Sequence, residues 1–218
     1  MSSGREETRP PYGVEPAEAV DGDRPDEQAP ADAGEPDAVE EEVEERDHAP
    51  GELRVPDGYR RVEGGLDGEP RGVAVVVARF NGEITSRLLE AALAELEDLG
   101  VAQESITIVP VPGAFELPLA AMAFAKTRRF SCVVALGCVI RGETAHFDYV
   151  AGEAASGLQL AALETGVPVS FGVLTTDTAE QAEARVDKGA EAVRSALEMA
   201  DLFAQLRAAA APTTARPG

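Results

Sequence analysis

The sequence has no long apolar run and contains few cysteines. No stretch approaches the roughly 20 apolar residues of a membrane-spanning helix, so we expect no membrane partner. The beginning of the chain also lacks the basic and apolar parts of a signal peptide. The two cysteines, Cys132 and Cys138, lie in one apolar run, where an extended strand would hold them roughly 20 Å apart, too far for a disulfide. We therefore expect two core thiols in a cytoplasmic protein.

Basic residues are also scarce, because 19 Lys and Arg stand against 40 Asp and Glu, a formal net charge of −21. Residues 1–50 hold 17 acidic and four basic side chains, a net −13, and few large apolar ones. Such a segment cannot bury enough apolar surface to offset the entropy of ordering it. The composition predicts an acidic disordered extension over 1–58, one folded domain over 59–207 and a flexible tail over 208–218. The negative charge also argues against nucleic acid as a partner.

Past residue 60, apolar runs typical of buried strands alternate with helical patterns. The strand patterns cover about residues 72–78, 105–111, 131–140 and 169–174, and the helical patterns cover about residues 84–99, 114–126, 149–164 and 179–206. Four strands that alternate with four helices predict a parallel sheet covered on both faces, a three-layer α/β/α sandwich with right-handed crossovers.

Polar and aromatic clusters follow each of the four strand patterns. They are Arg79–Asn81, Pro112–Glu116, Arg141–His146 and Phe171–Asp177. In an open parallel sheet, ligands bind outside the carboxyl ends of the strands. Each cluster alone also has an ordinary explanation, since it could form a turn, cap a helix or cover the core. Together the four clusters predict a pocket for an aromatic, anionic small molecule at that edge.

Only two histidines occur, and one of them, His48, lies in the acidic segment. The other, His146, follows the longest strand pattern and a Gly142-Glu143-Thr144 run. Backbone amides before a helix can bind an anion, and imidazole titrates near neutral pH. If the protein uses an imidazole for acid–base catalysis, His146 is the candidate, although a lone histidine is more commonly a hydrogen-bonding core residue.

The sequence resembles the lumazine synthase family over about residues 60–207. The resemblance rests on the ordered stretches Ala78–Asn81, Val111–Pro118, Leu136–Thr144, His146–Val150, Phe171–Thr176 and Asp187–Gly189. It implies a flavodoxin-like four-stranded parallel sheet. It also implies the condensation of 5-amino-6-(D-ribitylamino)uracil with 3,4-dihydroxy-2-butanone 4-phosphate to give 6,7-dimethyl-8-ribityllumazine, phosphate and water, without metal or cofactor.

The resemblance also assigns roles to individual residues. It implies that Phe80 stacks on the pyrimidine and that His146 moves protons. The other implied substrate-binding residues are Asn81, Gly113, Ala114, Phe115, Glu116, Val139, Ile140, Arg141, Phe171 and Lys188, and the implied phosphate-binding residues are Gly142, Glu143, Thr144 and Arg185. In this family Phe171 and Lys188 would come from a neighbouring subunit.

The sequence departs from the family pattern between Arg185 and the Lys188-Gly189 pair. Only two residues separate them, where the family has a loop of several residues, and the acidic extension has no counterpart. The resemblance implies a homopentamer and leaves open a closed shell of sixty chains. Riboflavin synthase and a basic cargo are the candidate macromolecular partners. Two alternatives stay open: a non-catalytic shell or scaffold protein that recruits cargo through its acidic tail, and an archaeal-type riboflavin synthase.

Overall fold

A computed structural model describes residues 53–210 of the 218-residue chain. The chain divides into two units, Met1–Leu53 and Arg54–Gly218, and the fold lies in the second. Residues 1–52 of the predicted disordered extension and residues 211–218 of the predicted flexible tail lie outside the described residues. Within the described part, no helix is long and apolar enough to cross a membrane.

Four parallel strands form one sheet in the order β2-β1-β3-β4. They are β1 Val73–Ala78, β2 Ile106–Val111, β3 Cys132–Ile140 and β4 Val169–Thr176. The central strands β1 and β3 are apolar and buried almost throughout, as strands covered on both faces must be. Strand β2 contains Pro110, which cannot donate a ladder hydrogen bond, and it lies at an edge of the sheet.

Helices cover both faces of the sheet and complete a three-layer α/β/α sandwich of the flavodoxin-like type. The helices are α1 Gly82–Asp98, α2 Leu117–Lys126, α3 His146–Thr165, α4 Ala179–Glu183 and α5 Lys188–Ala210. Because side chains alternate along a strand, Val76 packs in the cluster with α2 and α3, whereas Val75 packs in the cluster with α1 and α5. The predicted fold class is therefore confirmed.

Helix α3 begins at His146, three residues before the predicted start near Tyr149. No side chain caps its amino terminus, where Ala145 occupies the capping position. The capping position itself therefore carries none of the residues Ser, Thr, Asp or Asn that usually mark a helix start in a sequence. At the other end Gly166 adopts the left-handed conformation (φ 63°), which is common for a glycine that ends a helix.

The last predicted helix, residues 179–206, is two helices in the structure, α4 and α5. Short-range hydrogen bonds, such as Lys188 N to Arg185 O at 3.0 Å, redirect the chain between them. After the break α5 packs closely on α1 at Gly189, where a Cβ would lie 2.2 Å from Leu88 O. No glycine or proline inside residues 184–188 marks this change of direction. Helix α5 also continues to Ala210, past the predicted end.

The segment before β1 packs on α5 and on the end of α1. Gly65 N and Arg71 Nη2 both donate to the Asp201 carboxylate, at 2.7 and 2.5 Å, and Gly68 N donates to Leu99 O at 2.9 Å. Hydrogen bonds from the Gly65 amide, the largest cause, and from the Gln205 side chain hold the pKa of Asp201 below its usual value, and Arg71 lowers it further. Residues 65–71 are therefore part of the folded unit.

Candidate functional site

A cavity of about 590 Å³ opens at the carboxyl edge of the sheet. The ends of β1, β2 and β3 and the first turn of α3 form its walls, so it lies where open parallel sheets bind ligands. Eleven of the sixteen residues predicted for the site line it: Phe80, Asn81, Gly113, Ala114, Phe115, Glu116, Val139, Ile140, Gly142, Thr144 and His146.

The first wall presents an aromatic ring on a constrained turn. Phe80 follows β1 and is 71% exposed, and its amide donates to Pro112 O at 3.1 Å. The next residue, Asn81, lies in the left-handed region (φ 56°), where an asparagine is tolerated better than most residues. Its Nδ2 donates to Cys138 O at 2.9 Å and so ties the end of β1 to β3. These hydrogen bonds hold the backbone that carries the Phe80 ring at the cavity wall.

The second wall is the turn after β2. Gly113 N donates to Glu116 Oε2 at 2.9 Å, and residues Ala114–Glu116 form a single 3₁₀ turn that leads into α2. This hydrogen bond orients the Glu116 carboxylate on the cavity wall, where it can accept a hydrogen bond from a ligand hydroxyl or N–H group.

The third wall is the loop from Gly142 to Ala145 together with the start of α3. His146 is exposed and is the first residue of this 20-residue helix, and its backbone N donates to Thr144 Oγ1 at 3.4 Å. The first amides of a helix lack intrahelical partners and carry the positive end of its dipole. The arrangement can bind an anion beside the imidazole of His146, a side chain that can accept and donate protons.

Four further residues line the cavity that the sequence had not assigned to it: Cys138, Phe147, Tyr149 and Val150. Both cysteines are free and buried, as predicted, and Cys138 also reaches the cavity wall. Burial raises the pKa of the Cys138 thiol to about 11, so the thiol stays protonated at neutral pH.

Five predicted residues do not line this cavity. Arg141 and Glu143 lie in the segment after β3, and Phe171 lies on β4, 46% exposed. Arg185 stands between α4 and α5, where its Nη1 donates to Gln181 O at 2.9 Å. Lys188 opens α5, and the hydrogen bond from its Nζ to Glu191 Oε1, 2.7 Å long, is the largest cause that raises its pKa.

Arg141 contacts acidic side chains from two elements and an aromatic ring. Its Nε lies 2.9 Å from Asp177 Oδ1, its Nη1 lies 3.1 Å from Asp148 Oδ1, and its Cζ lies 4.0 Å from the centre of the Phe147 ring. Hydrogen bonds to Asp177 and then Asp148 are the largest causes that raise the pKa of its guanidinium. The positive charge of the Arg141 guanidinium is therefore paired with the carboxylates of Asp177 and Asp148.

A family model for 6,7-dimethyl-8-ribityllumazine synthase matches residues 71–204, more than half of the chain. The chain belongs to this family. The match contains all sixteen residues that the sequence analysis assigned to the site and every strand of the sheet. Membership of the lumazine synthase family assigns the protein to riboflavin biosynthesis, and the enzymes of this family are transferases that catalyse a condensation. Among the residues that the structure describes, no group of three or more His, Cys, Asp or Glu side chains could hold a metal ion.

Proposed function

We propose that this protein condenses 5-amino-6-(D-ribitylamino)uracil with 3,4-dihydroxy-2-butanone 4-phosphate to give 6,7-dimethyl-8-ribityllumazine, phosphate and water. The observation that carries the proposal is one cavity lined by an exposed aromatic ring, an imidazole and a helix amino terminus. These three features suit a planar heterocycle, proton transfer and a phosphate, respectively.

The uracil would bind at the walls formed by β1, β2 and β3. The Phe80 ring would stack on the pyrimidine, and backbone groups of Val139 and Ile140 would pair with its polar edge. The ribityl chain carries hydroxyls, which the oriented Glu116 carboxylate and the Asn81 side chain can bind. Gly113, Ala114 and Phe115 would complete this wall.

The ketose phosphate would bind at the Gly142-Glu143-Thr144 turn. Its phosphate would face the amino-terminal amides of α3, where helix polarity favours a negative charge. His146 would then lie beside the reacting carbons. It would move protons as the ring amine adds to the ketone with loss of water, as phosphate leaves and as the second ring closes. Orientation of the two substrates, with effective molarities of about 10⁵ M or more, would supply much of the acceleration.

A neighbouring chain would complete each site. Phe171, Arg185 and Lys188 do not line the cavity of their own chain, and Phe171 is nearly half exposed. In a cyclic homopentamer these residues would face the next chain's cavity. The short connection around Arg185 would then place its guanidinium differently from that of a longer loop, so Lys188 is the better candidate for a contact in trans.

Subunit mixing tests the shared site directly. We expect Lys188→Ala and His146→Ala to lower turnover when each variant is assayed alone. After dissociation and reassembly together, some interfaces combine an intact His146 with an intact Lys188, so the mixture should exceed both parents. A mixture no more active than the average of its parents would place both residues in one chain's site or remove one of them from the reaction.

The principal test of the reaction is incubation of the purified protein with both substrates while lumazine fluorescence is followed. A shell or scaffold protein that recruits a basic cargo or riboflavin synthase through its acidic tail would bind its partner without forming product. An archaeal-type riboflavin synthase would consume lumazine instead of forming it. The assay therefore separates the three functions.

A further inference from the structure

Arg141 lies outside the cavity although its neighbours Ile140 and Gly142 line it. Its guanidinium instead contacts three partners: the carboxylates of Asp177 and Asp148 and the ring face of Phe147. A planar guanidinium can serve two carboxylates along its edges and a ring on its face at the same time, which the ammonium of a lysine cannot do.

The three partners belong to two parts of the fold. Asp177 directly follows β4, whereas Phe147 and Asp148 lie in the first turn of α3. The Arg141 backbone amide also donates to Thr176 O at 2.9 Å, which joins the ends of β3 and β4. One residue therefore ties two strand ends to the start of the helix. We call Arg141, Phe147, Asp148 and Asp177 the clasp.

The clasp brackets the loop that would bind phosphate. Arg141 precedes residues 142–145 and Asp148 follows them, so their ion pair closes the loop across its ends. Within the loop, His146 N lies 3.4 Å from Thr144 Oγ1, Asp148 N donates to Ala145 O at 3.1 Å, and a Cβ on Gly142 would meet only open space. The position of the first turn of α3 therefore depends on the contacts that hold the two ends of the 142–145 loop.

That turn carries cavity-lining side chains. His146, Phe147 and Tyr149 all reach the cavity from it. A single exposed ion pair contributes little to stability. A guanidinium held by two carboxylates and a ring, however, fixes the orientation of the segments that carry its partners. A small displacement of this turn would move the imidazole relative to both substrates.

We propose that Arg141 is a positioning residue, which acts through the clasp to hold the phosphate-binding loop and His146, and that it does not itself bind the phosphate. This inference rests on the proposed function of the cavity. A phosphate that used Arg141 directly would compete with the two carboxylates already on its edges.

Two substitutions separate a positioning role from direct phosphate binding. Arg141→Lys keeps the positive charge but loses the planar guanidinium with its several N–H donors. A direct contact with phosphate would be kept in this variant, whereas the contacts of the clasp would be lost. Asp177→Asn removes a carboxylate that competes for the guanidinium. It would tighten phosphate binding if Arg141 were the ligand, and it would loosen the loop if Arg141 acts through the clasp.

The experiment uses the full chain, with kcat and KM for each substrate and amide hydrogen exchange over residues 141–148. We expect each variant to lower kcat/KM about tenfold, within the roughly 10²-fold that a misplacement of about 1 Å costs. Amide exchange in the loop should become faster. The kcat/KM of the double variant should be no lower than that of the less active single variant, because both changes break the same contacts. The matched control is Arg194→Gln, because Arg194 is similarly exposed (43%) and pairs with Glu95 at 2.9 Å on α1. It should change neither readout.

Wild-type kinetics for Arg141→Lys, or a lower KM for the ketose phosphate in Asp177→Asn, would overturn the positioning role. So would additive effects in the double variant. If the wild-type chain forms no lumazine, the proposed reaction fails while exchange still decides the clasp. Faster exchange in both variants then supports the clasp, and unchanged exchange overturns it.

Discussion

At the scale of single residues, the location of His146 joins the two parts of the proposed chemistry. It is the first residue of α3, so its imidazole lies next to the helix amides that would hold the phosphate. It also lines the same cavity as Phe80, on which the uracil would stack. In the proposed reaction one side chain would therefore reach bonds in both substrates, whereas Arg141 nearby contacts other protein groups.

We expect His146→Ala to lower turnover by roughly 10–10³-fold, because a general acid–base group contributes about 10²–10⁴-fold and water can replace part of it. Binding of a substrate analogue should change little, since the walls at Phe80 and Glu116 remain. Steady-state assays and analogue titration check both expectations. An unchanged rate would remove His146 from the mechanism and leave orientation alone to explain catalysis.

The two buried thiols make the free energy of unfolding depend on pH in the alkaline range. Burial raises the pKa of Cys132 to about 12 and that of Cys138 to about 11, from an ordinary value of 9.0. Above pH 9 the unfolded chain loses thiol protons that the folded chain keeps, so the free energy of unfolding falls as pH rises. Each thiol contributes up to about 1.4 kcal/mol per pH unit to this fall until pH reaches its folded pKa.

Urea denaturation between pH 8.5 and 11 measures this dependence. The pH slope of the unfolding free energy should be shallower in Cys132→Ala than in wild type, while lysine and tyrosine titration is common to both. Equal slopes would show that the Cys132 thiol ionises as easily in the folded chain as in the unfolded one.

Part of the site could be predicted from residue patterns, because polar clusters at the ends of alternating strands converge at one edge. Phe147, Tyr149 and Val150 were missed since the helix had been placed from Tyr149 onward. Once α3 begins at His146, helical spacing puts 146, 149 and 150 on one face. Cys138 was interpreted as a core residue from its apolar run, and a residue on a cavity wall gives the same pattern.

At the scale of elements, α3 forms part of the cavity and packs closely on α2. A Cβ on Gly157 would lie 2.6 Å from Pro118 Cβ, whereas a Cβ on Gly152, in the same helix, would meet nothing within 4 Å. The glycine at 157 therefore allows the close approach of the two helices, and the glycine at 152 carries no such contact. The two positions form a matched pair.

We expect Gly157→Ala to lower the melting temperature, because the helices must separate or the Pro118 ring must move. Gly152→Ala should raise the stability of the folded chain by up to about 1 kcal/mol, since alanine favours a helix over glycine. Thermal unfolding of both variants checks the sign of each change. Destabilisation of equal size in the two variants would mean that packing on Pro118 does not limit position 157.

The strand and helix types were predictable from apolar runs and helical periodicity, and the fold class followed. The strand order was not predicted, although Pro110 in β2 is typical of an edge strand. The break between α4 and α5 was missed because no glycine or proline marks it within residues 184–188, and the close packing of Gly189 on the backbone of α1 involves residues far apart in the sequence. A contact between distant elements leaves no periodic signal in the local sequence.

At the scale of the whole molecule, the folded unit and the acidic segment differ in what they contribute to folding. The unit is held at its beginning by the bonds of Gly65, Gly68 and Arg71 to α5 and to the end of α1. The acidic segment over residues 1–50 carries a net −13 and little apolar surface. We therefore propose that it is dispensable for folding and for the reaction.

A chain that starts at Gly51 should retain the activity and the melting temperature of the full chain. A chain that starts at Gly72 should melt at a lower temperature, because it loses the partners of Asp201 and Leu99. Thermal unfolding of the two shortened chains checks both expectations. Loss of activity and stability in the longer of the two would assign a structural role to the acidic segment.

Light scattering on the full chain measures the proposed assembly. We expect a pentamer as the smallest active form, because the cavity of one chain lacks Phe171 and Lys188. A particle near sixty chains would also fit the shared site. The acidic segments of such a shell would repel one another, but salt screens this repulsion beyond about 10 Å at 0.1 M. An active monomer would contradict the shared site.

The central claim is the reaction, and simultaneous measurement of lumazine and phosphate tests it most directly. The full chain, supplied with both substrates, should form 6,7-dimethyl-8-ribityllumazine and release one phosphate for each molecule formed. Neither product should accumulate enzymatically when one substrate is left out. A folded, assembled protein that forms no lumazine above the uncatalysed rate would contradict the account.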